Sequence, residues 1–167
     1  MRSKLENSRV HADSMTRRSL VRLMAAAALG WPAAAAFGEE TTITVHKDPN
    51  CGCCSGWVQH LRDSDFVVRI EETADLDRMR TRLGVPPDLA ACHTAEIGGF
   101  LVEGHVPADA IRRLLLARPN ARGIAVPGMP VGSPGMEGAR QQPYTVVLFG
   151  AEGRRPFMRF IGKEPIT

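Results

Sequence analysis

The chain has 167 residues, of which 44% are hydrophobic, so it can bury the core of one domain without needing cross-links to fold. Its formal charge of +3 comes mainly from residues 1–36, which hold six basic and two acidic residues and leave the rest close to neutral. Only 5% of the residues are aromatic and no stripe of Lys and Arg alternates with them, which argues against nucleic acid as a partner.

Residues 1–36 are predicted to be an export leader. Arg17 and Arg18 precede an apolar stretch that runs to Ala36 and ends in small residues suited to cleavage by a signal peptidase. This stretch is too short for a confident membrane span, and no other segment approaches the roughly 20 apolar residues that a span needs. We therefore expect residues 37–167 to form one exported, periplasmic domain without a membrane span.

The export route stays open between two alternatives. The segment Thr16-Arg17-Arg18-Ser19-Leu20 resembles a twin-arginine signal, which would imply folding or metal loading before export, whereas ordinary secretion needs only the apolar stretch. Met15 lies just upstream of the two arginines and is a candidate for the true start of the chain.

The first predicted elements place a cysteine cluster between a strand and a helix. Residues 41–46 alternate in polarity and are rich in β-branched side chains, which predicts a strand. Cys51-Gly52-Cys53-Cys54 follows, and the spacing of Trp57, Val58 and Leu61 predicts a short helix beyond it. A helix N-terminus presents free N–H groups and the positive end of the helix dipole, both of which favour a thiolate over a thiol.

The later pattern completes an α/β domain with a central mixed β-sheet flanked by helices. Asp75 and Gly84 are suited to begin and end one helix, and Pro107 to begin another. A loop rich in Gly, Pro and Met then leads to a C-terminal β-hairpin. The predicted elements are strands over 66–70, 96–102, 144–149 and 157–161, helices over 75–83 and 107–117, and the loop over 121–138.

The cysteine cluster fits three roles. In a redox role Cys51 and Cys54 form a C-x-x-C pair, with Cys51 as the exposed nucleophile and Cys54 as its resolving partner. In a structural role the cysteines form disulfides, for example between Cys54 and Cys92. In a metal role three sulfurs within four residues converge on a soft ion such as Cu(I). We favour the metal role, because a third thiol beside a redox pair could form competing disulfides.

Other candidate ligands lie in the second half of the chain. Cys92 is the one remaining thiol and is followed directly by His93. His105 sits just before a predicted helix, where an imidazole can ligate a metal or hydrogen-bond the turn. Met129 and Met136 lie in the Gly/Pro loop, which offers no amphipathic face to bury them, and a thioether suits Cu(I) better than Zn(II).

Four motifs, in their order along the chain, resemble the CopG-type periplasmic copper-resistance proteins. They are His46-Lys47-Asp48-Pro49-Asn50-Cys51-Gly52-Cys53-Cys54, Cys92-His93-Thr94, Glu103-Gly104-His105-Val106-Pro107 and the loop over 128–137. The resemblance covers about residues 42–161 and implies a thioredoxin-like fold, an envelope location and copper handling. It also implies a metal-binding core of Cys51, Cys53, Cys54 and Cys92, with His93, His105, Met129 and Met136 at matching motif positions.

These observations lead to one hypothesis and two alternatives. The first is an envelope protein that sequesters or redox-buffers Cu(I) and contributes to copper resistance, with metal ions and other envelope copper-handling proteins as partners. The second is a thiol-disulfide or copper-linked oxidoreductase that uses Cys51 and Cys54, which a cis proline at Pro127, Pro130 or Pro134 facing them would favour. The third is a zinc site, although the cysteine spacing does not match the usual paired C-x-x-C. Whether the protein is an enzyme stays open.

Overall fold

The structure, a computed structural model, describes residues 42–167. The leader predicted over residues 1–36, including the start proposed at Met15, lies outside the described residues. Within residues 42–167, no helix is long and apolar enough to cross a membrane.

Eight strands form a single mixed sheet, in the order β2-β1-β3-β4-β5-β6-β7-β8. The strands are β1 (Ile43–Lys47), β2 (Val68–Glu72), β3 (His93–Ile97), β4 (Phe100–Glu103), β5 (Gly123–Ala125), β6 (Pro143–Gly150), β7 (Gly153–Ile161) and β8 (Glu164–Ile166). The helices are α1 (Gly52–Asp63), α2 (Leu76–Leu83) and α3 (Ala108–Ala117), and a short 3₁₀ turn spans Pro87–Leu89.

The connections follow from the strand directions. The pairs β1/β2 and β4/β5 are parallel, and each is joined by a helical crossover, α1 in the first case and α3 in the second. All other neighbouring strands are antiparallel. The α/β class, the central mixed sheet and the C-terminal hairpin are confirmed, while the thioredoxin-like assignment stays a prediction.

Several of the predicted strands are wrong in their bounds, and the one predicted over 157–161 begins earlier, at Gly153. The strand predicted over 96–102 is a hairpin of β3 and β4, because Gly98 and Gly99 have φ of 56° and 86° and form its two-residue turn. The strand predicted over 66–70 begins later, at Val68, where pairing with Ile43 of β1 starts. Strands β5 and β8 were not predicted, because three residues are too few to show an alternating pattern.

The core lies between the sheet and helices α1 and α3. Helix α1 buries Trp57, Val58 and Leu61, and the Trp57 indole N–H donates to the Val106 carbonyl at 2.8 Å. Each large apolar side chain that is fully buried in this way contributes about 1.5–3 kcal/mol. Met79 is also buried, and Met158 packs half-buried against the main core.

The Gly/Pro/Met loop is pressed against α1 at two glycines. A Cβ added to Gly56 would lie 3.0 Å from Gly135 Cα. A Cβ added to Gly135 would lie 2.5 Å from the Cys53 carbonyl oxygen and 2.6 Å from the Trp57 nitrogen. Gly135 also has φ of 83°, a backbone conformation that residues other than glycine rarely adopt. The loop backbone therefore rests directly on the turn that carries the cysteines.

We predict that Gly135→Ala lowers the free energy of unfolding by about 2–4 kcal/mol, because a left-handed φ and a backbone clash are both penalised. Gly128→Ala is the matched control, since Gly128 has φ of 70° and no atom within 4 Å of an added Cβ. The control should lose only about 1–2 kcal/mol in urea unfolding of the full chain. Equal losses in the two variants would show that the loop does not rest on α1.

Candidate metal centre

The turn before α1 sets the position of the first three cysteines. Cys51 is the N-cap of α1, so Cys53 and Cys54 lie in its first turn, as the sequence predicts. The Lys47 ammonium is buried at the end of β1 and donates to the Asp48 carbonyl at 3.0 Å, while the Cys51 N–H donates to the same carbonyl at 3.1 Å. The chain therefore enters α1 at a fixed angle, with its cysteines at the positive end of the helix dipole.

Cys92 joins this cluster from the segment that leads into β3. The Sγ atoms of Cys51, Cys53, Cys54 and Cys92 all lie within 4.8 Å of one another. Cys53 Sγ is 3.6 Å from Cys51 Sγ and 3.6 Å from Cys92 Sγ. Four sulfurs this close form a donor set suited to soft metal ions.

Two of the four sulfurs are joined to each other. Cys51 and Cys54 form a disulfide, whereas Cys53 and Cys92 are free thiols. The Cys54–Cys92 disulfide considered from the sequence is wrong, because the fully buried Cys54 sulfur instead faces the Cys92 carbonyl at 3.6 Å. Since the thiolate is the metal-binding form of cysteine, all four sulfurs become ligands only after reduction of this disulfide.

The two loop methionines differ in their relation to the sulfurs. Met129 is 54% exposed, and its sulfur accepts a hydrogen bond from the Cys92 thiol at 3.0 Å. Met136 is half-buried, and within residues 42–167 no cysteine thiol hydrogen-bonds to its sulfur. The structure therefore places Met129 at the cluster and does not bring Met136 to it. The peptide bonds at the loop prolines, like all others in the described range, are trans.

An open, apolar depression borders the free thiol of Cys92. It has a volume of about 250 Å³ and no charged side chain in its lining. The lining residues are Ala90, Ala91, Cys92, Gly128 and Met129. The cluster is therefore reached from solvent on the side of Cys92 and Met129.

His93 and His105 form a buried pair behind the cysteine helix. Both side chains are fully buried, and the His93 ring lies 4.2 Å from the Trp57 ring and 5.0 Å from the His105 ring. His105 Nδ1 is 2.8 Å from the Pro134 carbonyl, so Nδ1 carries the proton and donates it. His105 Nε2 and both nitrogens of His93 have no hydrogen-bond partner in the described part of the chain.

Burial disfavours the charged form of both imidazoles of this pair. Burial lowers the pKa of His93 well below its ordinary value, and the neighbouring His105 lowers it further. Burial also lowers the pKa of His105. A neutral imidazole with a free nitrogen can ligate a metal, but neither ring hydrogen-bonds to a cysteine sulfur among residues 42–167.

The structure shows a buried ion pair beside Cys92 that the sequence analysis does not predict. Glu103 is fully buried at the end of β4, and its carboxylate accepts from Arg80 Nε at 3.0 Å. Burial raises the pKa of Glu103, and hydrogen bonds from Thr94 and from the Ala91 N–H oppose that rise. Glu103 ends the otherwise apolar run Phe100–Glu103, and a charged residue in a buried run needs a partner, so this Glu is the one sign of an ion pair in the sequence.

Comparisons with known proteins agree on one family. A family model described as "Protein of unknown function, DUF411" matches residues 89–136. The solved structure "Copper resistance protein copG- Form 1" is 47% identical, with a TM-score of 0.69 over 73% of this chain and 98% of that chain. The chain belongs to the CopG family. "Copper resistance protein copG- Form 2" is 45% identical, with a TM-score of 0.66 over 77% of this chain and all of that chain. No curated protein matches the sequence.

Cys92 of this CopG-family chain is held as a thiol. Burial raises its pKa from 9.0 to about 11, and the hydrogen bond and charge of Cys53 add to the rise. At neutral pH the metal-free protein therefore carries a proton on Cys92, and a metal ion that binds there must displace it.

We predict that alkylation of Cys92 by iodoacetamide, in the protein with its disulfide intact, accelerates about tenfold per pH unit and is still rising at about pH 10. The reason is that only the thiolate reacts, and its fraction grows until the pH reaches the pKa. Peptide mass mapping separates Cys92 from Cys53. The Cys53→Ser variant should level off at lower pH, because it lacks the thiol that helps raise the Cys92 pKa. A plateau near pH 8.5 in the unmutated chain would contradict this prediction.

Proposed function

We propose that this protein binds Cu(I) through the thiolates of Cys51, Cys53, Cys54 and Cys92, and thereby sequesters or redox-buffers copper as part of copper resistance. The observation that carries the proposal is the convergence of four sulfurs within 4.8 Å of one another. Thiolates are the ligands that Cu(I) prefers, and the two solved relatives are named copper resistance proteins. Copper is the cargo in this proposal.

The choice of copper over zinc rests on Met129. Four thiolates alone could hold Zn(II) in a tetrahedral site. The Met129 sulfur lies 3.0 Å from Cys92 Sγ, and a thioether adds to Cu(I) binding but hardly to Zn(II) binding. We therefore favour Cu(I), with Met129 as an outer ligand. Support for Met136 is weaker, because none of the cysteine thiols in the described range hydrogen-bonds to its sulfur.

His93 and His105 are proposed as further ligands of the centre. Their unpartnered nitrogens are the observation in favour, because a buried polar atom without a partner costs free energy unless an ion or a water satisfies it. The bond from His105 Nδ1 to the Pro134 carbonyl fixes the tautomer whose Nε2 is free, which is how metal-binding histidines are oriented.

The protein is proposed to work in the cell envelope, after export by the Sec or the twin-arginine route. Disulfides form there, so binding of Cu(I) competes with the Cys51–Cys54 disulfide. Reduction of that bond takes two electrons and two protons and restores two thiols. Met129 is exposed beside the cluster, so other envelope copper-handling proteins could exchange copper at this side.

The test is metal retention by the anaerobically purified full chain, with and without prior reduction. We expect two reactive thiols before reduction and four after it, in agreement with the single disulfide. The reduced protein should hold Cu(I) against a competing chelator at least about tenfold more strongly than the disulfide form, because it has two more thiolate ligands.

Variants sharpen this test. Cys92→Ser should weaken Cu(I) binding at least about tenfold, and Met129→Leu should weaken it less. Met158→Leu is the matched control, since Met158 is a half-buried core methionine in β7. If the reduced chain retains zinc but no copper, or neither metal, the copper proposal fails.

A second candidate function is thiol-disulfide exchange. The observation in its favour is the disulfide at the N-terminus of α1, with Cys51 partly exposed and Cys54 buried. In this scheme the Cys51 thiolate attacks a substrate disulfide and releases one substrate thiol. Cys54 then displaces the second substrate thiol from the mixed disulfide, so the substrate is reduced while the protein is oxidised.

We expect the reduced chain, if it acts in this way, to reduce a model disulfide peptide catalytically, and we expect Cys51→Ser to abolish the reaction because the attacking thiol is lost. Cys53→Ser is the control that leaves the reacting pair intact. Rates are measured by peptide thiol release, with the reduction potential measured against glutathione. A rate equal to that of a simple thiol would remove this candidate.

A further inference from the structure

The buried ion pair of Arg80 and Glu103 lies at the segment that carries Cys92. Arg80 belongs to α2 and is 8% exposed, whereas Glu103 ends β4 and is 0% exposed. Arg80 Nε donates to Glu103 Oε1 at 3.0 Å. The pair thus links α2, which precedes the Cys92 segment in the sequence, to β4, which follows it.

Both polar groups of the Ala91 backbone are bound by this pair. The Ala91 N–H donates to Glu103 Oε1 at 2.7 Å, and Arg80 Nη2 donates to the Ala91 carbonyl. On the far side of Cys92, the Thr94 hydroxyl donates to Glu103 Oε2. A single carboxylate therefore holds the chain both before and after Cys92.

Packing around Ala91 leaves this segment little room to move. A Cβ added to Gly104 would lie 2.8 Å from Ala91 Cβ and 2.9 Å from the Val126 carbonyl oxygen. The Gly104 N–H donates to the His93 carbonyl at 3.0 Å. Cys92 itself contacts sulfur atoms: its Sγ lies 3.6 Å from Cys53 Sγ and 3.0 Å from the Met129 sulfur, and its carbonyl lies 3.6 Å from the disulfide sulfur of Cys54.

Stability alone is a weak reason for this arrangement. An ion pair loses its hydration when it is buried, and apolar residues of similar size often stabilise a protein as well or better. A guanidinium that donates to Glu103 through Nε and to the Ala91 carbonyl through Nη2 does, however, impose directions on the groups that it binds. The geometry is therefore better explained by the need to hold one backbone segment in one place.

We propose that Arg80 and Glu103 are positioning residues, which hold the Ala91 backbone so that the Cys92 thiol stays beside Cys53 and Met129. What the thiols bind rests on the proposed function. The placement of Cys92 does not, because the contacts exist in the metal-free chain. Loss of either charged group frees Ala91, and the Cys92 thiol then samples positions away from Cys53.

The experiment measures how often Cys53 and Cys92 meet in the absence of metal. In the full chain with Cys51→Ser and Cys54→Ser, these two are the remaining cysteines. Equilibration with reduced and oxidised glutathione gives their effective concentration. Adding Glu103→Leu or Arg80→Met should lower it at least about tenfold, because each change removes charge-assisted hydrogen bonds to Ala91. Glu103→Gln should lower it less, since the amide oxygen can still accept from the Ala91 N–H.

Two controls separate positioning from stability. Leu148→Ala opens a cavity in the core on β6 and should lower the melting temperature without changing the effective concentration. The double variant Arg80→Met with Glu103→Leu leaves no unpaired buried charge, so it is the variant to use if a single change prevents folding. It too should show the tenfold loss.

An unchanged effective concentration in the folded double variant would overturn the proposal, whatever happens to the melting temperature. An equal fall in Leu148→Ala would also overturn it, because the effect would then follow stability alone. Copper retention by the chain with all four cysteines is measured separately. Its failure would remove the proposed function and leave the glutathione result, which involves no metal, as the test of positioning.

Discussion

The antiparallel pairing of β1 with β3 is the interaction on which the cysteine cluster depends. In its register Lys47, the last residue of β1, lies opposite His93, the first residue of β3. The chain leaves the sheet after Lys47 and continues to Cys51, and it enters the sheet at His93, directly after Cys92. A strand pair thus brings together Cys53 and Cys92, which are 39 residues apart. A slip of one residue would turn every side chain of β3 to the opposite face and remove Cys92 from the cluster.

The disulfide gives this centre two chemical states. With Cys51 and Cys54 joined, the cluster presents two thiols, and after reduction it presents four. Thiols that are close enough to share an ion are also close enough to form a disulfide when an external oxidant removes two electrons and two protons. The two proposed functions, metal binding and thiol-disulfide exchange, therefore rely on one geometry, and the redox state of the cysteines distinguishes them.

The sequence predicted those features that depend on local pattern. The α/β class, the helix caps at Asp75 and Gly84, and the cysteines at the start of α1 all follow from neighbouring residues. The strand predicted over 96–102 runs through the β3–β4 turn, because the local pattern does not separate Gly98 and Gly99 from their apolar neighbours. Strand β5 exists because it pairs with β4 and β6, and its own three residues do not indicate these partners.

In the site, too, local sequence indicates the residues but not their long-range contacts. The four cysteines were identified from their own chemistry, because few residue types bind soft metals. The close contact of Met129 with Cys92 depends on how the loop packs on α1, where Gly135 lies against Gly56. Arg80 and Glu103 pair although they are 23 residues apart, so neither residue indicates its partner in the sequence.

The distribution of buried polar groups supports a functional interpretation of this region. Seven polar or charged residues are buried within the described range, and they lie at the end of β1, in α2, in the Gly/Pro/Met loop, or in and just after β3 and β4. They are Lys47, Arg80, His93, Thr94, Glu103, His105 and Ser133. Burial of such groups costs free energy that apolar side chains would not cost, and the rest of the core is apolar. Departures from apolar packing that gather at one place are typical of a functional site, and here they surround the segments that position the four sulfurs.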